Sequence, residues 1–415
     1  MPDGADLLRT ISGRHRRCFW LDRVHPHGWP GLDPVLGWLA DDDVSLGYDA
    51  ASRSVTRYAG GRAEVVGDDV FTVLEAELRT GPADALWVGY LGYAARPDLP
   101  ARSASGLPDA VWLRTDPRRL VTVDARADTP LTPASTAETG PLTDETAYHV
   151  AYGTVQEHLR AGDSYEVNLT YRVSVAEPVD AVTAYLTLRR RNPAPYAGFL
   201  QHDVDGARGW LLSSSPERFA AVDAGGQVEA RPIKGTLPRG RDAEEDAALA
   251  ERLAREPKFR AENLMIVDLM RNDLSRICEP GTVDVPTLMT VESYPSVHQL
   301  VSVVTGDLRQ DVSTVDALRS VFPPGSMTGA PKLRTMQIIE AVESSARGVY
   351  SGAFGWLRPD GRADLAVVIR SLTTAGDGTW TLGTGGAVTV RSHLADELEE
   401  SYTKARALLT ALRSR

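Results

Sequence analysis

Hydrophobic and polar positions along the chain follow two periods in turn, and the switches between them lay out its elements. Before residue 124, short apolar runs bounded by turn residues predict strands at 18–21, 45–48 and 86–93. The last contains Gly89-Tyr90-Leu91-Gly92-Tyr93, a glycine/aromatic pattern suited to close packing against a second sheet. From 124 to 146 the sequence is rich in Ala, Thr, Pro and Asp and keeps neither period, which predicts a linker. Beyond it, a helical period at 147–160 gives way to a strand run at 165–175, then to strands at 210–213 and 219–222. Helices are predicted at 242–255, with a charged and solvated face, at 261–277, which is strongly apolar, and at 331–342. Strands recur at 353–357, 365–372 and 380–383, and a helix over 396–412 closes the chain. Strands and helices mix without regular βαβ alternation, so the expected class is α+β with layered packing. The expected organisation is an N-terminal region over 1–123, the linker, and a chemistry-bearing region over 147–415.

Composition narrows the function. The 415 residues are 42% hydrophobic, enough for a sizeable core, and the net charge of −11 argues against nucleic acid as a partner. Two cysteines, Cys18 and Cys278, supply neither a disulfide framework nor a cysteine zinc site. The first residues do not read as a signal peptide and no apolar run is long enough to cross a membrane, so the expectation is a cytoplasmic protein.

Lysine is the most informative residue type. Of 45 basic residues only four are lysine, namely Lys234, Lys258, Lys332 and Lys404. Arginine serves for surface charge, whereas lysine can lose its proton and act as a nucleophile. Lys234 lies in Arg231-Pro-Ile-Lys-Gly-Thr236, an apolar-flanked turn that a solvated lysine would not favour.

Carboxylates and glycines add to this. Glu262 falls on the same helical side as Ile266 and Leu269, so it points inward, either answering the helix dipole or serving a site. Glu397, Glu400 and Lys404 share one stripe of the last helix, read either as an exposed Glu400–Lys404 pair or, with Glu262, as an oxygen-ligand site of the kind Mg²⁺ prefers. The loop from Pro323 to Lys332 fails the spacing of a phosphate loop, since Ala330 and Pro331 precede Lys332. Gly383-Thr-Gly-Gly-Ala387 reads as a loop open to a ligand or as a tight strand turn. Arg370, inside the apolar run 365–370, needs an anionic partner, from a ligand or from the fold.

Together these segments resemble the chorismate-utilising enzymes, the group of anthranilate, aminodeoxychorismate, isochorismate and salicylate synthases. The matching stretches include GDSYEVNLT (162–170), SSSPERF (213–219), RPIKGT (231–236), RAENLMIVDLMRNDL (260–274), VHQLVS (297–302), GSMTGAPK (325–332), RGVYSGAFGWL (347–357), GTGGAVT (383–389) and ELEESYTK (397–404). FWLD (19–22) and VGYLGY (88–93) look like the group's first segment. The resemblance implies an α/β/β/α sandwich of the anthranilate synthase component I type.

It also implies roles. Aminodeoxychorismate synthases carry lysine where the other three carry alanine, and Lys234 stands there. The implied reaction is amination of chorismate: the lysine adds at C2 as the C4 hydroxyl leaves, then ammonia enters at C4 and expels it, giving 4-amino-4-deoxychorismate for 4-aminobenzoate and folate or a related pathway. Water-poor surroundings and a nearby cation would lower the lysine's pKa. Glu262 and Glu400 resemble the Mg²⁺ ligands, with Glu397 behind them. Tyr350, Arg370, Gly385, Gly386 and Ala387 resemble the grip on the enolpyruvyl carboxylate, with Thr236 and Lys404 also at the substrate. His298 would act as general acid on the C4 hydroxyl and Glu217 as a second acid/base group. Two departures stand out: Phe259 replaces a common acidic residue, and Glu166 stands where isochorismate and salicylate synthases place a water-activating lysine. No glutaminase motif is recognisable, so ammonia is expected from a separate glutamine amidotransferase subunit or from solution. The alternatives are anthranilate synthase component I, another chorismate chemistry, or a catalytically idle binding subunit.

Overall fold

Two large antiparallel sheets lie face to face, and each is completed by strands from both ends of the chain. The computed structural model describes residues 3–22, 32–124, 142–294 and 297–413. Most of the expected linker, 125–141, lies outside the described residues. The nine-stranded sheet runs Gly329–Ala330, Glu166–Ala176, Thr379–Val388, Ser371–Thr374, Gly209–Ser215, Tyr196–His202, Arg17–Leu21, Val35–Trp38 and Leu120–Thr122. In the twelve-stranded sheet, Ile233–Pro238, Val297–Asp307, Gln227–Arg231, Arg218–Val222, Ala363–Val367 and Ala353–Leu357 continue into five strands from Leu86–Leu91 to Arg62–Gly67. Asp284–Ser293 pairs with Val297–Asp307 beside this path. Arg17–Leu21 pairs with Tyr196–His202, and Leu86–Leu91 with Ala353–Leu357, so the N-terminal region is woven into the rest rather than set apart.

The layers follow from where apolar side chains point. Phe19, Leu21, Val88, Tyr90, Leu200, Leu211 and Phe354 fill the space between the sheets. Glu145–Ala161, Ala181–Arg191, Lys332–Val342 and Leu394–Arg413 cover the outer face of the nine-stranded sheet, and Val70–Thr80, Pro257–Ser275 and Thr314–Val321 that of the other. The result is the expected α+β, α/β/β/α arrangement. Ala243–Arg255 is capped by Asp242, which accepts from Glu244 N and Glu245 N, and it buries Leu253 alone, as its charged face requires. Pro257 then opens the next helix, where a missing N–H costs nothing.

Two segments differ from the periodicity reading, and both carry site residues. The single strand expected over 365–372 is two strands, Ala363–Val367 in one sheet and Ser371–Thr374 in the other. Arg370 sits in the crossover with φ of 50°, a left-handed conformation rare outside glycine. The glycines at 383–386 are not a turn; they lie inside the strand Thr379–Val388, with Gly383 opposite Arg172 and Gly386 opposite Leu169. Glycine is required there by what packs on the strand: a Cβ at 383 would stand 2.2 Å from the Tyr350 ring.

Candidate active site

Lys234 is placed by a bulge. The step from Ile233 to Thr236 is matched by the shorter step from Val301 to Gln299, so one extra residue is inserted at Lys234–Gly235, where Gly235 has φ of 95°. The side chain is buried, and its Nζ donates to Glu166 Oε1 at 2.5 Å. Glu166 opens the strand Glu166–Ala176 of the opposite sheet, so this ion pair bridges the two sheets. Burial disfavours the ammonium, but the Glu166 carboxylate, aided by Glu262 and Glu217, outweighs it and holds the Lys234 pKa above its ordinary value. The expected lowering rests on a bound cation as well as on burial; among the protein's own groups the balance is upward, and the residue that tips it is Glu166, 68 positions away in the chain.

Carboxyls surround the amine. Glu217 is buried, and burial lifts its pKa to about 7 against the opposing pull of a Ser326 hydrogen bond and Lys234. Glu262, on Pro257–Ser275, is also lifted to about 7, by burial first, with Glu166 and Glu397 adding to the rise and Lys234 and Lys258 opposing it. Among the described residues the Glu262 side chain has neither a hydrogen bond nor an ion pair. Glu397 is buried and its pKa is raised by burial and by the neighbouring charge of Glu400. Glu400 bonds Lys404 at 2.6 Å; burial pushes its pKa up, and the Lys404 ammonium more than reverses this. Lys404 also donates to Gly385 O at 2.9 Å. The surface pair expected on the last helix thus forms, with Glu400 about half exposed, yet the charges of Lys234 and Lys258 reach it too.

Arg370 answers the question left open by its sequence position. Among the described residues it forms no ion pair; burial lowers its pKa, and the acidic groups Tyr350 and Glu400 only partly oppose this. A half-buried guanidinium with no carboxylate of its own suits an anionic ligand. Tyr350 is buried beside it, with the Arg172 guanidinium 4.7 Å from its ring and the Glu343–Arg347 ion pair, 2.7 Å, behind. Lys332, another of the four lysines, is structural: it bonds Asp273 at 2.7 Å and the Val321 carbonyl.

His298 and Thr236 are not drawn into this group. His298 is buried, its Nε2 3.0 Å from Asp246 and its Nδ1 2.8 Å from Ser293, so both ring nitrogens are engaged away from Lys234. The general-acid role implied for His298 would need one of these two bonds exchanged for one to substrate, and the buried Glu217 is the other acid/base candidate. Thr236 is exposed on its strand, opposite Gln299. Sequence reasoning missed Glu166 as Lys234's partner and Lys258 as a charge facing the acidic group; the scarcity of lysine was the available signal for the second.

The family profile described as "chorismate binding enzyme" matches residues 47–410. The chain belongs to this family. It is 40% identical over 454 aligned residues to aminodeoxychorismate synthase of Streptomyces griseus, covering 98% of this chain and 62% of that protein. It is 42% identical to aminodeoxychorismate synthase of Streptomyces pristinaespiralis, covering 100% of this chain and 64% of that one. The chain therefore spans less than two thirds of the length of these relatives. Among solved structures, anthranilate synthase component I from Streptococcus pneumoniae TIGR4 superposes with a TM-score of 0.74 at 26% identity, covering 93% of this chain and 94% of that one. Among the described residues no helix is long and apolar enough to cross a membrane.

Proposed function

We propose that this chain aminates chorismate at C4, converting chorismate and ammonia to 4-amino-4-deoxychorismate through a covalent intermediate on Lys234. The observation that carries the reading is the buried Lys234 amine, aimed into the space between the sheets among Glu166, Glu217 and Glu262. As a neutral amine, Lys234 forms a bond to C2; the ring double bonds shift and the C4–O bond breaks. Glu217, whose carboxyl titrates near 7, gives the departing oxygen its proton, so that water leaves. Ammonia then bonds C4, the double bonds shift back, and the C2–N bond breaks with its electron pair returning to Lys234. Glu217, now a carboxylate, takes the proton shed by the new amine. Arg370 and Tyr350 would grip the enolpyruvyl carboxylate, with the Gly385–Ala387 backbone and Lys404 beside them.

Glu262, Glu400 and Glu397 fit a hard divalent cation. All three offer oxygen, the Glu262 side chain has no hydrogen bond or ion pair among the described residues, and burial first, with neighbouring carboxylates adding to it, raises the pKa values of Glu262 and Glu397, a cost that a cation would relieve. Bound there, Mg²⁺ would neutralise the ring carboxylate and favour electron flow toward the ring. The ammonia is proposed to come from a glutamine amidotransferase partner, or from ammonium salts in vitro.

The test is a pair of variants. Lys234→Ala should bind chorismate but lose turnover by roughly three orders of magnitude or more, as a whole chemical step is removed. Lys234→Arg should be no better, because guanidinium stays protonated. An arginine variant with near-normal rate would mean that position 234 supplies only charge.

A further inference from the structure

We propose that Glu166 is the proton acceptor and positioning partner of Lys234, a role that rests on the covalent reading above. A lysine that must attack carbon cannot do so as an ammonium. In the resting enzyme the Lys234 pKa is raised, so the proton has to leave before the C2–N bond can form. Among the described residues Glu166 is the one acceptor in contact: its Oε1 lies 2.5 Å from Nζ. Its other oxygen, Oε2, is buried with no hydrogen-bond partner among the described residues, although Glu166 itself is only 3% exposed. A buried carboxylate oxygen without a partner is costly, and a proton arriving from Nζ would remove that charge. The backbone holds it rigidly, since Glu166 pairs with Ala330 at the start of its strand, and Asn168 Nδ2 approaches Oε1 at 3.5 Å.

The step balances. The Nζ–H bond of Lys234 breaks, its electron pair stays on nitrogen, and the proton passes to Glu166, leaving a neutral amine beside a neutral acid. Transfer within a buried pair creates no new charge, so it is cheaper there than release of a proton to water. When ammonia expels the lysine from C2 as an amine, Glu166 returns the proton and the ion pair is restored. The carboxylate also fixes the direction of Nζ before substrate arrives, because the bond bridges the two sheets. The other charges that face Lys234 are Glu217 before Arg218–Val222, Glu262 on Pro257–Ser275 and Glu400 on Leu394–Arg413, and none has a hydrogen bond to Nζ.

The experiment uses the full chain with chorismate, Mg²⁺ and ammonium. Glu166→Gln keeps the shape and a hydrogen bond but accepts no proton, and its kcat should fall about 100-fold or more while KM for chorismate stays within about threefold. Glu166→Asp should recover part of the loss. Glu166→Ala should be rescued by added formate in a concentration-dependent way, and by chloride not at all; a merely structural glutamate would show no such rescue. A Glu166→Gln enzyme with wild-type turnover, or a folded, chorismate-binding Glu166→Ala that formate leaves inert, would overturn the proposal. Lys234→Ala run alongside separates the two failures: turnover without Lys234 sinks the covalent reading itself, whereas a dead Lys234→Ala beside a normal Glu166→Gln sinks only the role of Glu166.

Discussion

Gly386 lies directly beneath Glu397, so that a Cβ at residue 386 would stand 2.8 Å from Glu397 Oε2. The helix Leu394–Arg413 can bring its acidic stripe down onto the strand Thr379–Val388 because that position has no side chain. Gly386→Ala should therefore shift a carboxylate rather than break the fold. The expected outcome is roughly tenfold weaker Mg²⁺ affinity with little change in melting temperature, measured by Mg²⁺ titration and thermal melts.

Removal of the cation should abolish turnover. Excess EDTA should stop product formation and Mg²⁺ should restore it, while Glu400→Gln and Glu262→Gln should each weaken both metal affinity and rate, by about tenfold or more. Full activity in excess EDTA would contradict the assignment of Glu262, Glu400 and Glu397.

Arg370 offers a separable effect. Because it has no carboxylate of its own among the described residues, Arg370→Gln should cost the fold little. It should weaken chorismate binding by roughly 10- to 100-fold, the worth of a charge-assisted bidentate contact, as read by equilibrium binding.

Much of this architecture was legible in the chain, and the misses share a cause. The helices expected at 147–160 and 242–255 are found at 145–161 and 243–255, because helical period is a local signal. The hairpin Asp284–Ser293 with Val297–Asp307 escaped the periodicity reading because bulges between Asp284 and Thr290 and the positive φ of Met289 break the alternation on which a strand is recognised. The run 365–372 looked continuous because both of its halves are apolar; only the crossing between sheets, at Arg370, divides it. In the site, inward-facing Glu262 and the Glu397–Lys404 stripe follow from helical spacing. The Lys234–Glu166 contact does not, since it joins residues on different sheets and no local pattern encodes it.

Glu217 makes stability depend on pH in a definite direction. Its pKa rises from 4.5 to about 7 on folding, so the folded state favours the protonated form. The stabilisation this gives is fully present below pH 4.5 and is lost as pH rises through about 7. Glu217→Gln, which cannot ionise, should therefore match the wild type near pH 4.5 and be more stable at pH 8, by up to roughly 3 kcal/mol. Thermal or urea unfolding of both proteins across this range checks it, and a difference independent of pH would contradict it.

The most direct test of the account is the identity of the product. Purified chain incubated with chorismate, Mg²⁺ and an ammonium salt at a pH that supplies free ammonia should yield 4-amino-4-deoxychorismate, identified by mass spectrometry and by comparison with an authentic standard. Anthranilate as the main product, or recovery of unchanged chorismate under these conditions, would contradict it.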